Sequence, residues 1–359
     1  MKNRFKNWIA IALLPQILLI KWIGSYPEFV DTYYSQGFYP LISQFFRSLL
    51  GWSYISFGDI IYCLLFILSV RYVVLNWKKI RKKPKAFFRD FIMVLSVVYF
   101  TFHLAWGLNY YRVPLAKSLE LKETYSFSEL EEVTKSLIKK TNQLQFEISK
   151  DSTEKINIPY TRKEFFELTI DGYQKLEQKL PQFAYNKPSI KNSLLSTMLS
   201  YMGYGGYLNP FTNEAQVNAK VPSFRFPIIA GHEIGHQIGY SAENEVNFIG
   251  YLVTSNNDNI YFKYAAYAYA ASYCLSEIKR RDKTKAATLY ATFNLGVKKN
   301  FDAYYVFWKA YDNPLEPVFK NVFNTFLKAN NQKDGIKSYY KIVTYLVAYH
   351  LKYPIEFKN

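Results

Sequence analysis

The sequence predicts a mainly α protein in which N-terminal transmembrane helices lead into an α-helical domain carrying a small edge strand or sheet. Three observations predict it. Three apolar runs with basic flanks occupy the first 112 residues, helical periodicity dominates the remainder, and one short stretch, residues 214–219, alternates as a strand does.

Taken in order, Lys2, Arg4 and Lys6 precede an apolar run over residues 8–20. The following KWIGSYPEF has bulky residues where a signal-peptide cleavage site needs small ones, so this run reads as an uncleaved anchor, about 8–24. Residues 26–59 are aromatic and carry few charges, a loop with a short interfacial helix over 41–50. The second span is expected at about 59–76 and the third at about 90–109. Between them lies WKKIRKKPKAFFRD, the densest basic stretch in the chain, which the positive-inside rule places in the cytoplasm together with the N-terminus. The alternative, buried helices of a soluble protein, does not account for three runs with consistent flanks. Residues 1–112 are therefore expected in the inner (cytoplasmic) membrane, and 113–359 in an extracytoplasmic domain.

Beyond the third span, an S-x-x-E box at Ser128 and Glu131 opens an expected helix over 128–143, and 162–180 reads as another. Turn residues over 202–213 lead into the strand, and helical patterns return over 261–274, 301–311, 315–329 and 336–349. At 359 residues the chain is long enough for a sizeable core. Aromatic residues make up 19%, which suits contact with a membrane interface, where amphipathic rings settle. A formal charge of +17 would point to nucleic acid in a soluble protein, yet the lysines are scattered and no nucleic-acid motif occurs. Anionic membrane lipid or cell-surface polymers are the partners that this charge fits. Cys63 and Cys274 fall in an apolar run and a helical stretch and predict no disulfide.

The chemistry-bearing segment is FPIIAGHEIGHQIGYSAENEVNFIGY, residues 226–251. His232 and His236 are four apart, so on a helix both imidazoles share a face and reach one ion. Glu233 beside them is free to take a proton from metal-polarised water. A catalytic zinc takes three protein ligands and leaves the fourth position to water. The other histidines are His103, read as a packed polar residue in an apolar run, and His350 near the C-terminus, so the third ligand is expected to be a carboxylate. Gly239 reads as the residue closing the first helix and Ser241 as the N-cap of a second. In that second helix Glu245 shares a face with Phe248, Ile249 and Leu252, and a carboxylate buried there needs a partner such as the ion. Glu245 is accordingly the expected third ligand. Glu243, on the face of Val246 and Gly250, is the second choice.

HEIGHQIGYSAENEVNF resembles the signature of the zincin metallopeptidases, with a glutamate as third ligand in the manner of the gluzincins. Ala242 stands where the metzincins have a third histidine, which speaks against that branch. The whole chain resembles a family of uncharacterised bacterial membrane proteins, the domain of unknown function numbered thirty-eight ten. The matching pieces are the N-terminal apolar segments, WGLNYYRVPL at 106–115, GYLNPFTNEAQVN at 206–218, the HEIGH block and KANNQKDGIKSYYKIV at 328–343. Val246 stands where alanine is expected after the glutamate. The resemblance implies one Zn2+ per chain and hydrolysis of a peptide or protein substrate with Glu233 as general base. It also implies an edge strand for the substrate backbone, here Glu214, Ala215, Gln216, Val217 and Asn218. Tyr339, in GIKSYY, is the candidate for stabilising a developing oxyanion. The rival expectation is a membrane-anchored binding or scaffold protein that keeps the zinc fold without turnover. A transporter is disfavoured, because three modest spans without an inverted repeat make a poor translocation path.

Overall fold

A computed structural model describes residues 2–335 and 341–357. The chain is mainly helical with one small sheet. Helices α1 (Lys2–Ile11) and α2 (Leu13–Gly24) form an apolar rod interrupted at Ala12, where Pro15 has no amide proton to offer the carbonyl of Ile11. A single turn, α3 (Pro27–Phe29), and a π-helix (Val30–Phe38) carry the chain into α4 (Tyr39–Leu50). Then α5 (Phe57–Lys82) and α6 (Pro84–Ala105) form a hairpin hinged at Lys83. A 3-10 turn (Gly107–Tyr111) and the short α7 (Leu115–Ser118) lead on to α8 (Phe127–Ser149) and α9 (Arg162–Lys179). There follow β1 (Ile190–Asn192), α10 (Ser196–Met202), β2 (Gly206–Asn209), β3 (Glu214–Val217), α11 (Phe226–Gln237) and α12 (Glu243–Ser255). The C-terminal helices are α13 (Ile260–Arg281), α14 (Lys283–Ala291), α15 (Leu295–Lys309), α16 (Glu316–Ala329) and α17 (Ile342–Lys352).

Among the described residues three segments are long and apolar enough to cross a membrane, Asn3–Gly24, Phe57–Lys82 and Pro84–Ala105. The first two cover the expected spans, while the third begins earlier than expected, at Pro84, and ends at Ala105 rather than 109, where the chain passes into the 3-10 turn. The basic stretch between the second and third is helical on either side of Lys83, because Lys and Arg are good helix formers and Pro84 is tolerated in the first turn of α6.

Two local expectations shift. The capping box of α8 is Ser126 with Glu129, one register earlier than Ser128 with Glu131, and Glu131 instead pairs with Lys135 and Lys285. The sheet order is β1-β3-β2, with β1 parallel and β2 antiparallel to β3. The strand expected at the edge, Glu214, Ala215, Gln216 and Val217, is therefore central and wholly buried, and Asn218 lies just past its end. A four-residue alternating stretch shows that a strand exists, but only pairing partners decide its position in a sheet.

The main core gathers around α11 and α12, covered by α8, α9, α13 and α17, with Phe165, Phe226, Phe248, Tyr251 and Phe262 fully buried. The expected boundary near residue 113 is bridged by buried hydrogen bonds. Tyr39 Oη donates to the carbonyl of Gln237 at 2.7 Å and Trp106 Nε1 to that of His236 at 2.9 Å. The carboxylate of Glu214 accepts Gly58 N at 2.5 Å and Phe57 N at 3.2 Å, so the central strand caps the N-terminus of α5, and Lys191 completes a fully buried ion pair with it. The apolar helices thus hold the sheet and the HEIGH helix from below.

Candidate metal centre

Helix α11 starts at Phe226 with Pro227 in its first turn, where the missing amide proton costs nothing, and ends where Gly239 adopts φ +94°. Only residues without a Cβ take that left-handed angle readily, so the chain turns back and α12 runs against α11. Contact between the two helices is made through small residues. A Cβ at Gly250 would sit 2.8 Å from the carbonyl oxygen of Ile228 and 3.2 Å from His232 N, and one at Gly231 would sit 3.1 Å from Gly250 Cα. Val246 fills the space over Gly235. The face of α12 turned to the histidines is consequently Glu243, Val246, Asn247 and Gly250.

This packing sets the site. The carboxylate of Glu243 lies 3.5 Å from His232 Nε2 through Oε2 and 3.8 Å from His236 Nε2 through Oε1. On the far side of each ring, His232 Nδ1 is 3.0 Å from Asn247 Oδ1 and His236 Nδ1 is 2.8 Å from the carbonyl of Tyr240. An oxygen acceptor at each Nδ1 places the proton there and leaves both Nε2 lone pairs facing the shared space. Tyr269 Oη also donates to Asn247 Oδ1, at 3.0 Å. Ligand atoms of His232, Glu233 and His236 lie within 4.8 Å of one another.

Burial governs the electrostatics. It pushes His232 well below its ordinary range, with His236 adding to the effect and Asn247 opposing it. His236 is pushed down to about 4, again by burial and against its bond to Tyr240. Both rings are therefore neutral donors at neutral pH. Glu233 is raised well above the usual carboxylate range, first by burial and then by the charge of Glu243, and its buried Oε2 has no hydrogen-bond partner among the described residues. A Cβ at Gly206 would sit 2.6 Å from Glu233 Oε1 and 2.5 Å from the carbonyl oxygen of Gln216, so glycine lets β2 cross directly over this carboxyl group.

The structure redirects the third-ligand expectation. Glu245 points away from the histidines, its Oε1 accepting Leu115 N at 2.8 Å and Tyr345 Oη at 3.3 Å. The apolar stripe that carries Glu245 faces the core beside α17, whereas the small-residue face packs on α11. Ser241 is not the cap. Helix α12 has Ala242 at that position, and Ser241 Oγ donates to the carbonyl of Asn109. His103 bonds the carbonyl of Tyr99 and His350 the hydroxyl of Tyr251, as packed polar residues do. Tyr339 lies outside the described residues. Sequence reasoning missed Asn247, Tyr240, Trp106 and Gly206. The i+4 spacing of Glu243 and Asn247 was the available signal, because it pairs an acid and an amide on one helical face.

His232, Glu233, His236 and Glu243 line the wall of one cavity of about 1270 Å³. Tyr204, Gly206 and Leu208, from β2 and the turn before it, form a second wall, and Phe323 and Phe326 of α16 a third. On its side away from β3, strand β2 pairs with no strand among the described residues.

No curated protein and no solved structure matches this chain. A family described as "Protein of unknown function (DUF3810)" matches residues 34–347, which take in α4 to α6, the sheet, the histidine helix and most of α17. Spanning most of the chain, that match places the protein in the DUF3810 family.

Proposed function

We propose that this protein is a membrane-anchored zinc hydrolase of the zincin type that cleaves peptide bonds. His232, His236 and Glu243 hold the ion, and Glu233 is the general base. The observation that carries the reading is the convergence of two neutral imidazoles, each with its Nε2 lone pair exposed, on the carboxylate of Glu243. This donor set fits zinc, which takes imidazole nitrogen and carboxylate oxygen readily. Glu233 Oε2, buried at the same wall without a hydrogen-bond partner among the described residues, fits a group that exchanges a proton with a bound water.

When bound, zinc supplies a Lewis acid that lowers the pKa of a bound water to about 7 and a charge that offsets the repulsion between Glu233 and Glu243. The remaining work falls to the chain. Asn247 and Tyr240 fix the imidazole tautomers and ring planes. Glu233, raised by burial, accepts the proton of the attacking water and returns it to the leaving amine. Strand β2 lies beside Glu233 with no strand on its outer side among the described residues, and an extended peptide pairs with such an edge by strand addition. With the basic hairpin end of α5 and α6 in the cytoplasm, the site lies at the opposite, extracytoplasmic face.

The test is metal content and turnover of the full-length protein in detergent. One zinc per chain is expected in the wild type and in Glu233→Gln, with hydrolysis of a peptide mixture in the wild type alone. Folded wild type that takes up no zinc would sink the reading and favour a binding or scaffold protein.

A further inference from the structure

The cavity at the metal centre does not stop at the globular part. It continues down between the apolar helices, where Leu13 and Ile17 of α2, Leu95, Val98 and Phe102 of α6, and Tyr62 of α5 line it. Trp106, bonded to the backbone of His236, marks the level of the metal centre. Leu95 is ten residues before Ala105, the last residue of α6 and the neighbour of Trp106, so at 1.5 Å per residue the cleft runs about 15 Å below that level. That is about half of the 30 Å hydrocarbon core, the depth of one leaflet.

The cleft is open sideways. Leu95 and Val98 line it and yet remain 41% and 45% exposed. Past Tyr62, α5 makes few contacts with α6, and the run from Cys63 to Tyr72 is exposed on every face although it is apolar nearly all round. On the globular side the cavity is lined by Met198 of α10 and by Phe323 and Phe326 of α16, beside the ion pair of Glu316 and Lys320. A contiguous exposed apolar surface marks a contact with lipid or with another apolar partner, and here it leads into the polar centre.

The walls restrict what occupies the lower part. Among the described residues they present no strand edge and only the scattered polar groups of Tyr62, Tyr99 and His103, so an extended peptide would leave most of its backbone unsatisfied there. A helix satisfies its own backbone but is about 10–12 Å wide and needs about 20 residues to cross the membrane, against a cleft one leaflet deep. An acyl chain has no hydrogen-bonding groups and ends within one leaflet. We propose that the substrate is a lipid-linked peptide, its acyl chain held in the cleft between α2, α6 and Tyr62 and its peptide part along β2. This rests on the hydrolase reading above. The reaction adds water across one amide bond of the peptide part, giving a carboxylate on one product and an amine on the other, with the acyl chain left intact on one of them.

The experiment uses the full-length Glu233→Gln protein, zinc-loaded and in lipid nanodiscs. The probe is a peptide N-acylated with a palmitoyl chain bearing a terminal diazirine. Photolysis followed by mass spectrometry is expected to place adducts on Leu13, Ile17, Leu95 or Val98. The same peptide with plain palmitate competes, and the unacylated peptide does not. Val98→Trp, which fills the cleft away from the metal centre, is expected to reduce these adducts about tenfold while retaining one zinc per chain as the sign of a folded site. Wild type is expected to cleave the acylated peptide with kcat/KM at least about tenfold above the unacylated one, since remote binding energy lowers the barrier. Adducts confined to the outer face of α5, at Leu64 and Phe66, or unaffected by Val98→Trp, overturn the inference. Equal cleavage of both peptides without cleft adducts overturns it as well and leaves the hydrolase reading standing. Cleft adducts on a zinc-loaded wild type that cleaves neither peptide overturn the hydrolase reading and retain the acyl-chain site.

Discussion

Glu243 Oε2 lies 3.5 Å from His232 Nε2, while Glu245, two residues further on, bonds the backbone of Leu115 on the opposite side of the same helix. The two acids belong to different parts of the molecule. Glu243→Ala is expected to abolish zinc binding without unfolding the protein. Glu245→Ala is expected to keep the zinc and lose about 1–3 kcal/mol of stability, because Leu115 N is left buried and unpaired. Metal analysis beside denaturant unfolding of both variants separates the roles, and zinc lost only with Glu245 would return the ligand to that residue.

Asn247 orients His232 without lying between the two histidines. Its replacement by alanine is expected to weaken zinc affinity about 10–100-fold, the usual effect of removing a hydrogen bond behind a ligating imidazole. Tyr269→Phe, which removes a bond to Asn247 rather than to the ring, is expected to have a smaller effect. Competition with a calibrated chelator measures both.

Gly250 sets the distance between α11 and α12. The atoms that a new methyl would meet are backbone, the oxygen of Ile228 and the nitrogen of His232, and neither can move aside cheaply. Gly250→Ala is expected to cost about 1–3 kcal/mol and to weaken zinc binding, since overpacking pushes Glu243 off the histidines. A thermal melt with and without zinc reads both effects. An unchanged zinc affinity would show that the helix spacing does not set the site.

Lys191 and Glu214 form an ion pair with both side chains buried, and Glu214 also caps α5. Lys191→Met is expected to destabilise by about 3–5 kcal/mol, because the carboxylate left behind keeps only neutral donors. For the same reason a fragment beginning near residue 113 lacks Gly58, Tyr39 and Trp106 and is expected to unfold more readily than the whole chain. Limited proteolysis compares the two.

His350 is held at about 4 by burial, against its bond to the carbonyl of Tyr353, while Tyr251 donates to its Nε2. A histidine depressed in the folded state stabilises while neutral. Its contribution is present above the unfolded value of about 6.5 and is lost as pH falls towards 4, up to about 3 kcal/mol in all. Unfolding free energies of wild type and His350→Asn between pH 7 and 4 are expected to converge as the pH drops. Parallel curves would show that His350 does not titrate in that window.

Much of the fold was legible because it rests on local pattern. The three helices long and apolar enough to cross a membrane are visible as apolar runs, and the start and stop of α11 as Pro227 and Gly239. The pairing of His232 with His236 follows from helical periodicity alone. The capping box was less certain, because SFSELEE contains two overlapping S-x-x-E registers and only packing selects Ser126.

The sequence by itself determined the mainly helical architecture, the candidate spans and the presence of the two histidines and Glu233 on one helix, since each depends on residues within a few turns of one another. Only the tertiary structure decided which acid faces the histidines. Hydrophobic periodicity favoured the stripe of Glu245, but the helices meet where glycines allow their backbones closest, and that face carries Glu243. It also decided that β3 is central and β2 the edge, and that the cavity descends between the apolar helices. Those are relations between segments far apart in the chain, set by how closely surfaces pack, and no local pattern encodes them.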